Sequence, residues 1–512
     1  MMMGSQMNAT TKLTKLKEPS LLFSEGQRLS DPKIGLSIFG PVDKENPSHP
    51  RNISYGVIGT RSGIDLVKNF MKLINGPVVS PYYYRNGEKL WQPFPGFSVA
   101  FDSTLPYNPT KIFEIDEVKL NEAAMDLNPN KRAYEVVNLF LEGVNHLQEL
   151  DEKYDVILCI VPETVFLNCR PKSSLIFGVG EKVPISVRKE RARTIVDVFG
   201  VRNDMYRYSV DFRRQIKARA MEVKNPVPIQ ILRESTLETH EDPDAKFGST
   251  KSPISDRAWN ISTALYFKAG GKPWKLDTAR EGVCYLGIVF RRLDPTIGDQ
   301  TACSAALMFL DSGDGNVVRG DFGPWYSPKN EQYHLSKNAA KSLLEKVLLT
   351  YQNLEGKPLK EIFLHYRAWI NKDEYEGFQL ACPPGVKLVC VRVHQEKKEV
   401  RLYREGTKPV IRGTLLKVND RRCYLFSSGF KPFLGTYDGW ETPAPLRIDI
   451  QHGEAEIGQV AKDILGLTKL NFNECKFGDS DPVTIGFSDA VGEILVSNPD
   501  IKEADPRFKF YI

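Results

Sequence analysis

The sequence predicts an α/β protein with a parallel sheet in its first half and a mixed sheet in its second half. Residues 154–162 form a nearly all-apolar run that follows a helical apolar spacing over residues 134–150. This alternation is typical of a parallel strand that helices cover on both faces. In the second half, the β-type runs 282–291 and 362–366 are separated by the helical pattern 337–351. Strands and helices in this order predict a mixed sheet with flanking helices.

The composition is that of an ordinary globular protein, with 41% apolar and 26% charged residues among 512. This length allows two to four domains with sizeable cores. No apolar run approaches the roughly 18–20 residues of a membrane span, and the polar start lacks the apolar centre of a signal peptide. The eight cysteines are scattered, which indicates reduced thiols rather than disulfides or a zinc site. We therefore expect a cytoplasmic protein without membrane contact.

Two domains are expected, because a polar linker at residues 238–256 interrupts the alternating pattern. Residues 1–15 are interpreted as a disordered terminus or as residues added for expression, 16–250 as a first domain with an opening module, and 251–512 as a second domain. The first domain is expected to contain strands and turns at 16–43, a strand at 53–58, helices at 62–74 and 207–222, and a strand and turn at 226–237. The second is expected to contain helices at 257–269, 453–467 and 489–496, and strands at 302–309, 317–318, 387–393, 399–403, 409–416, 422–427 and 483–487.

Positive charge is concentrated in one stretch, although the net charge of +5 is by itself a weak indication of an anionic partner. Residues 202–219 interleave three aromatic side chains with six basic ones. The basic side chains are Arg202, Arg207, Arg213, Arg214, Lys217 and Arg219. Arg213 and Lys217 are four residues apart and share one helical face. This pattern indicates either a phosphate-binding surface or a solvated face of a helix.

Three other segments of the chain contain residues that matter together with the basic stretch 202–219, which we call the basic helix. Gln230 lies in the string PVPIQILRESTL, Lys268 lies in ISTALYFKAGGKPWKL, and the chain ends with RFKFYI at Ile512. Together with Lys217, these residues resemble the pocket that holds the 5′-phosphate of the guide in the MID domain of Argonaute proteins. The resemblance implies that Lys217, Gln230 and Lys268 bind this phosphate by charge and hydrogen bonds. Taken singly, each has an ordinary explanation as a solvated face, an edge residue or a glycine-capped helix end.

Arg213 departs from the family pattern, in which a Tyr or His stacks on the first guide base. An arginine keeps a donor for the phosphate but lacks the ring, so Tyr206 or Tyr208 is expected to supply the stacking. The resemblance also implies a bridging Mg²⁺ between the phosphate and the C-terminal carboxylate of Ile512. Contacts with the nucleic-acid backbone are expected from Arg207, Arg214, Arg219, Arg233 and Lys272.

Two strands of the second half lack the acids that a nuclease needs. The strings CYLGIVF and IFLHYRAW resemble the strands that carry the metal-binding aspartates in the PIWI domain of Argonautes, which has an RNase H-like fold. Val289 and Ala368 stand at the aspartate positions, and neither offers an oxygen to a divalent cation. Asp489 falls where active PIWI domains place their last catalytic acid, and we interpret it as residual or structural. The resemblance therefore implies a Rossmann-like MID domain followed by an RNase H-like PIWI domain that does not cut.

The resemblance covers residues 16–512. Over this range the chain is similar to the short prokaryotic Argonautes, which carry MID and PIWI domains alone. It implies a guide RNA with a 5′-phosphate and a complementary single-stranded DNA target. The expected partner is a second chain with an APAZ domain and an NAD-hydrolysing effector, of the TIR type rather than the sirtuin-like type. Target binding would activate this effector in a heterodimer, or in an oligomer of heterodimers, as a defence against plasmids and phage. No enzymatic activity is expected of the chain itself.

Two alternatives belong to other functional classes. A metal-dependent RNase H-like nuclease would use Asp489 with acids from the glycine-rich string near residue 315, namely Asp311, Asp314 or Asp321. A nucleotide-binding α/β protein without a guide would use the strand at 154–162. The second alternative is disfavoured because no Gly-x-Gly-x-x-Gly follows that strand.

Overall fold

The structure of the chain is a computed structural model. It describes residues 12–79, 91–149, 152–171, 173, 205, 208–223, 225–240, 252–292, 302–310, 315–327, 329, 331–354, 358–439, 441–497 and 505–512. Five side chains named above lie outside these described residues: Arg202, Tyr206, Arg207, Asp311 and Asp314.

The described strands and helices alternate along most of the chain. The strands are β1 Lys12–Lys15, β2 Leu21–Leu22, β3 Arg28–Leu29, β4 Tyr55–Gly59, β5 Lys111–Glu114, β6 Val156–Val161, β7 Ile229–Arg233, β8 Lys275–Leu276, β9 Val283–Arg292, β10 Ala302–Phe309, β11 Gly315–Gly323, β12 Tyr326–Ser327, β13 Gln332–Tyr333, β14 Glu361–Tyr366, β15 Lys387–Gln395, β16 Thr414–Asn419, β17 Arg422–Phe426 and β18 Leu446–His452. The α-helices are Pro32–Phe39, Arg61–Ile74, Phe97–Phe101, Glu117–Ala124, Pro129–Glu149, Glu163–Asn168, Phe212–Ala220, Glu234–Leu237, Ile254–Lys268, Lys337–Leu354, Lys372–Ala381, Ile457–Leu467, Val483–Gly486 and Ser488–Val496. Short 3-10 turns span Ser24–Gly26 and Phe508–Phe510.

The first half contains a parallel sheet, as the sequence predicts. Its four described strands lie in the order β5-β4-β6-β7, and every neighbouring pair is parallel. Strand β6 is buried at all six positions, because helices cover both faces of the sheet. The helices Pro129–Glu149 and Phe212–Ala220 pack against one face, and the helix Arg61–Ile74 packs against the other.

The second half is built on a mixed sheet, also as predicted. Its nine described strands lie in the order β1-β16-β17-β18-β15-β14-β9-β10-β11. Strand β14 is parallel to both β9 and β15, and the other pairs are antiparallel. The carboxyl ends of β9, β14 and β15 therefore meet at one edge of the sheet.

The two halves share one hydrophobic core, and strands from the start of the chain pair with strands of the second half. Strand β1 joins the large sheet by pairing with β16, so Lys12–Lys15 form a strand within the segment that the sequence predicts to be a disordered terminus or added residues. Strands β2 and β3 of the opening module pair with each other, and β2 also pairs with β8, which follows the predicted boundary. One continuous cluster of buried apolar side chains contains residues of both sheets, including Leu158 and Ile448.

Several predicted elements differ in the structure. Residues 483–486 form a helix instead of a strand, and the main-chain oxygen of Pro482 at the N-cap accepts the amides of Ile485 at 2.9 Å and Gly486 at 2.8 Å. The described residues 399–403 form no strand, and Tyr403 projects into solvent. The opening module contains the helix Pro32–Phe39, which the sequence analysis does not predict. Asp31 and Pro32 are the sequence signal for its start, because the Asp31 side chain accepts from Ile34 N and proline is favoured in the first turn. Strands β5 and β18 and the helix Lys372–Ala381 were not predicted.

Among the described residues, no helix has the length and apolar character needed to cross a membrane.

Candidate nucleic-acid interface

The end of the chain is held by two of the lysines that the sequence predicts for the phosphate pocket. Lys217 Nζ donates to the main-chain oxygens of Ile512 at 2.7 Å and Tyr511 at 3.2 Å. Lys268 Nζ donates to the same Ile512 oxygen and to the main-chain oxygen of Lys509, the latter at 3.1 Å. The structure therefore brings together three of the predicted residues, two from the middle of the sequence and one from its end.

Both ammonium groups are buried, and among the described residues neither contacts a carboxylate side chain: their partners are main-chain oxygens, one of them on the terminal residue Ile512. Lys268 is fully buried and Lys217 nearly so. Burial lowers the pKa of Lys268 to about 7, with further lowering from the charges of Lys509 and Arg213. Burial also lowers the pKa of Lys217 far below its usual range, and Lys268 and Arg213 add to this effect. Burial and the neighbouring cations therefore disfavour the charged forms of both lysines, and an anion bound in the pocket would favour them.

Local sequence explains how the two lysines reach this place. The helix Phe212–Ala220 begins where the Asp211 side chain accepts from Arg214 N, and this start places Lys217 on the buried face. Lys268 is the last residue of its helix, and Gly270, which follows the C-cap Ala269, has φ +99°, a conformation that favours glycine. A Cβ at Gly271 would lie 2.4 Å from the Tyr266 ring, so the second glycine is required by packing. The glycine-capped helix end is thus also what positions the lysine.

Gln230 lies on β7 without a bond to either lysine among the described contacts. Its Nε2 makes only a long contact of 3.4 Å to the main-chain oxygen of Ile231. Its Oε1 is buried and has no hydrogen-bond partner. A buried amide oxygen without a partner is unusual, because the unmade hydrogen bond costs stability.

Arg213 is exposed and lines a cavity of about 330 Å³ between the basic helix and the carboxyl ends of β6 and β7. The cavity is also lined by Phe166, Arg170, Asp211, Arg233 and Thr236. The guanidinium groups of Arg233 and Arg170 lie over the Phe166 ring, 3.6 Å and 4.5 Å from its centroid. The cavity wall thus combines flat cationic groups with one aromatic ring.

Of the predicted backbone-binding residues that the structure describes, Arg214, Arg219 and Arg233 contact other side chains of the protein. Arg214 forms an ion pair of 2.5 Å with Glu493, and Arg233 forms two bonds to Glu163 at 3.1 and 2.7 Å. Arg219 lies 4.8 Å from the ring centroids of both Tyr134 and Tyr208.

Tyr208 also stacks on Tyr134, so its ring is packed against these side chains. The main-chain amide of Lys272 donates to Asp43 at 2.8 Å. The structure therefore does not arrange these basic residues as one solvent-facing stripe.

The two positions that lack aspartate are occupied differently. Val289 is about 1% exposed and belongs to the core, where a Cβ at Gly492 would lie 2.9 Å from its Cγ1. Ala368 follows β14 and is partly buried beside the helices on the other face of the sheet. Val289 is thus a packing residue and not a vacant ligand position.

Asp489 lies in the first turn of the helix Ser488–Val496 and is exposed. Its carboxylate accepts from Arg367 at 2.8 Å. Asp321 is likewise exposed and pairs with Lys346 at 2.8 Å. Among the described residues, no group of three or more His, Cys, Asp or Glu side chains is placed to hold a metal ion.

Three residues at the end of β14 and beside it, Arg367, Trp369 and Arg392, are given no role by the sequence analysis. Arg392 Nε donates to the main-chain oxygen of Arg367 at 3.0 Å, and its guanidinium lies 4.9 Å from the Trp369 ring centroid. Arg367 and Trp369 flank Ala368 in the string YRAW. This pairing of Arg with Trp is the sequence signal that could have indicated a binding surface here.

Comparisons with known proteins reveal the fold. No protein-family model and no curated protein matches the sequence. Among solved structures, Clostridium butyricum Argonaute bound to a guide DNA and a 19-mer target DNA matches with a TM-score of 0.61 and 15% identity, over 98% of this chain and 55% of that chain. Aa-Ago with externally bound siRNA gives 0.56 and 13%, over 98% and 56%. A. aeolicus Argonaute gives 0.55 and 13%, over 97% and 55%. The chain therefore has an Argonaute fold and spans about half the length of these proteins.

Proposed function

We propose that the chain is the guide-binding subunit of a short prokaryotic Argonaute system. Its four-stranded sheet would belong to a Rossmann-like MID domain and its nine-stranded sheet to an RNase H-like PIWI domain. The observation that carries this proposal is the buried pair Lys217 and Lys268, which face no carboxylate side chain among the described residues. The fold supports it, because one structure of this fold holds a guide and a target DNA.

A terminal phosphate fits the charge of this pocket. It carries close to two negative charges and three strong acceptor oxygens. Each lysine has three N–H donors and uses two of them on main-chain oxygens, which leaves one donor per lysine for a ligand. The phosphate would neutralise the two ammonium groups and restore the pKa values that burial lowers. The Gln230 amide, which lacks good partners, would supply a directional hydrogen bond.

The cavity beside Arg213 would receive the first nucleoside of the guide. The Tyr208 ring is packed against Tyr134 and Arg219, so a different side chain would have to stack on the first guide base. The planar guanidinium of Arg213 is exposed at the cavity wall and can stack on a base. We therefore assign to Arg213 both charge and stacking.

Magnesium at the guide phosphate remains part of the proposal. The pocket offers one suitable oxygen, that of Ile512, and two ammonium groups already contact it. Mg²⁺ is commonly held by one or two protein oxygens together with phosphate oxygens and water. Ile512 would therefore hold the ion only together with the guide phosphate. When bound, the ion would offset the repulsion between this phosphate and the carboxylate of Ile512.

The chain would recognise single-stranded DNA through base pairing with a guide RNA and would not cut it. A buried valine at position 289 and an alanine at 368 supply no metal ligands. The response to the target would come from a partner with an APAZ domain and an NAD-hydrolysing TIR effector. NAD⁺ consumption by the co-expressed pair should rise when a complementary DNA is added. NAD⁺ loss that is independent of the target would refute this coupling.

The proposal is tested by the nucleic acid that co-purifies with the chain. After purification from prokaryotic cells at low salt, sequencing should find short RNAs of defined length that carry a 5′-phosphate. Incubation with complementary DNA and Mg²⁺ or Mn²⁺ should then leave the DNA intact. The absence of bound nucleic acid, or site-specific cleavage of the DNA, would overturn the proposal.

A further inference from the structure

A cluster of cationic side chains lies at the carboxyl edge of β14 and β15. Arg367 follows the last residue of β14, and Arg392 is the register partner of Tyr366 on β15. Arg392 Nε donates to the main-chain oxygen of Arg367 at 3.0 Å, so the two residues are directly linked. Both lie at the carboxyl end of β14, where β9 and β15 continue beyond it.

Arg367 is held in place by one exposed carboxylate. Its guanidinium donates to Asp489 at 2.8 Å and to the main-chain oxygen of Ile485 at 3.0 Å. The side chains of Arg367 and Asp489 are 44% and 61% exposed. Such exposed ion pairs contribute little to stability, and a second anion can therefore replace the carboxylate at small cost.

Arg392 carries a positive charge without a carboxylate of its own. Among the described residues, no acidic side chain lies within ion-pair distance of it. The nearby Asp449 is occupied by Arg422 at 2.5 Å and by Arg447 at 2.9 Å. The guanidinium of Arg392 instead lies over Trp369, which is 46% exposed. An exposed aromatic ring beside arginines is a typical surface for a nucleic-acid strand.

Other acids near this edge are already engaged. Asp481 accepts from Gln395 at 3.3 Å, and Glu396 accepts the main-chain amides of Lys398 and Glu399. Asp489 is thus the carboxylate that competes most directly with a ligand for Arg367.

We propose that Arg367 and Arg392 bind the sugar-phosphate backbone of the guide–target duplex, and that Asp489 is an internal anion which a backbone phosphate displaces from Arg367. This inference rests on the proposed function and extends it to the target strand. Two arginine side chains hold the backbone here without a metal ion. Before the duplex binds, the hydrogen bond to Asp489 holds the Arg367 side chain in place at the carboxyl end of β14.

The test compares variants whose predicted effects have opposite signs. The affinity of the RNA-loaded protein for complementary DNA is measured over a series of salt concentrations. Asp489→Asn should tighten target binding about threefold, because Arg367 is released for the phosphate. Arg367→Ala should weaken it about tenfold and reduce the slope of log K against log salt by about 1. Arg367→Lys, which keeps the charge, should retain most of the affinity.

Asp321→Asn is the matched control, because Asp321 also forms an exposed 2.8 Å pair, with Lys346. Its affinity for DNA should equal that of the wild type. Affinity for the guide RNA should be the same in all variants, which separates failure of this inference from failure of the proposed function. If Asp489→Asn weakens target binding, or if Arg367→Ala leaves it unchanged, the inference is overturned.

Discussion

At the residue scale, the structure contains two kinds of buried lysine. Lys469 is buried beside Glu18, whose carboxylate lies 2.9 Å away and also pairs with Arg412. Lys217 and Lys268 are equally buried but face only main-chain oxygens among the described residues. The first arrangement is what a structural lysine requires. The second leaves two lysines without a carboxylate side chain and with lowered pKa values, which is expected where an anionic ligand completes the site.

The lowered pKa of Lys268 predicts that recognition of the guide phosphate depends on pH. In the free protein its pKa is about 7, and a bound phosphate raises it, so binding requires proton uptake above pH 7. Below about pH 6 the phosphate itself loses charge. The preference for a 5′-phosphate over a 5′-hydroxyl RNA should therefore be greatest near pH 6.5 and fall by up to about tenfold per pH unit above 7.

This dependence is measured as the ratio of the two dissociation constants between pH 6 and 9. Lys268→Met removes the titrating group, so its smaller ratio should vary less with pH above 7. A wild-type ratio that stays constant from pH 6.5 to 8.5 would contradict the role of Lys268.

The residues of the pocket could be predicted from sequence only in part. Lys217, Lys268 and Ile512 were found because each lies in a distinctive local string. The main-chain oxygens of Lys509 and Tyr511 carry no sequence signal, although they accept half of the lysine hydrogen bonds. The ion pair between Arg214 and Glu493 was also invisible, because a basic residue looks the same whether it faces solvent or a distant acid.

At the element scale, the edge of the large sheet depends on close packing of the helix Ser488–Val496. Gly492 lets this helix approach Val289, and Glu493 accepts from Arg214 at 2.5 Å and Arg291 at 2.7 Å. One helix thus connects the basic helix of the first half with β9 of the second. It also carries Asp489 at its start.

Restoring an aspartate at position 289 should destabilise the protein. Val289 is about 1% exposed, so Val289→Asp would bury a carboxylate beside the helix without a partner. We expect a loss of roughly 2–4 kcal/mol in the free energy of unfolding, because an unpaired buried polar group carries its full desolvation cost. Thermal and denaturant unfolding measure this change.

Val289→Ala is the control, since it removes apolar volume but introduces no charge. The aspartate variant should be the less stable of the two above pH 7 and should approach the alanine variant below pH 4. Wild-type stability of Val289→Asp would mean that position 289 is accessible to water or metal ions.

Long elements with a clear pattern were predictable, and short ones were not. The run 154–162 was correctly predicted as a buried parallel strand because its apolar character is continuous. Residues 483–487 carry β-branched side chains, yet Pro482 and the packing of the following helix make the segment helical. Strand β18 has a period-two signal in Leu446, Ile448 and Ile450, although the sequence analysis assigns no strand to this segment.

At the scale of the whole molecule, distant segments assemble the pocket. Lys217 and Ile512 are separated by 295 positions in the sequence, yet their atoms lie 2.7 Å apart. The pairing of β1 with β16 and of β2 with β8 also crosses the predicted domain boundary. Sequence patterns specify elements but not such long-range contacts, so neither the shared core nor the crossing strands could be predicted.

The central claim is that Lys217 and Lys268 recognise the 5′-phosphate of a guide. The most direct measurement is the affinity of the purified chain for one RNA sequence with either a 5′-phosphate or a 5′-hydroxyl, in the wild type and in the Lys217→Ala, Lys268→Ala double variant. The Lys337→Ala, Lys346→Ala variant also removes two positive charges, from exposed ion pairs elsewhere, and serves as the control.

We predict that the wild type and the control prefer the 5′-phosphate by roughly 100-fold, because two charge-assisted contacts are gained. The double variant should lose most of this preference while its affinity for the 5′-hydroxyl RNA changes little. Equal losses for both RNAs, or a wild type that binds both equally, would contradict the account.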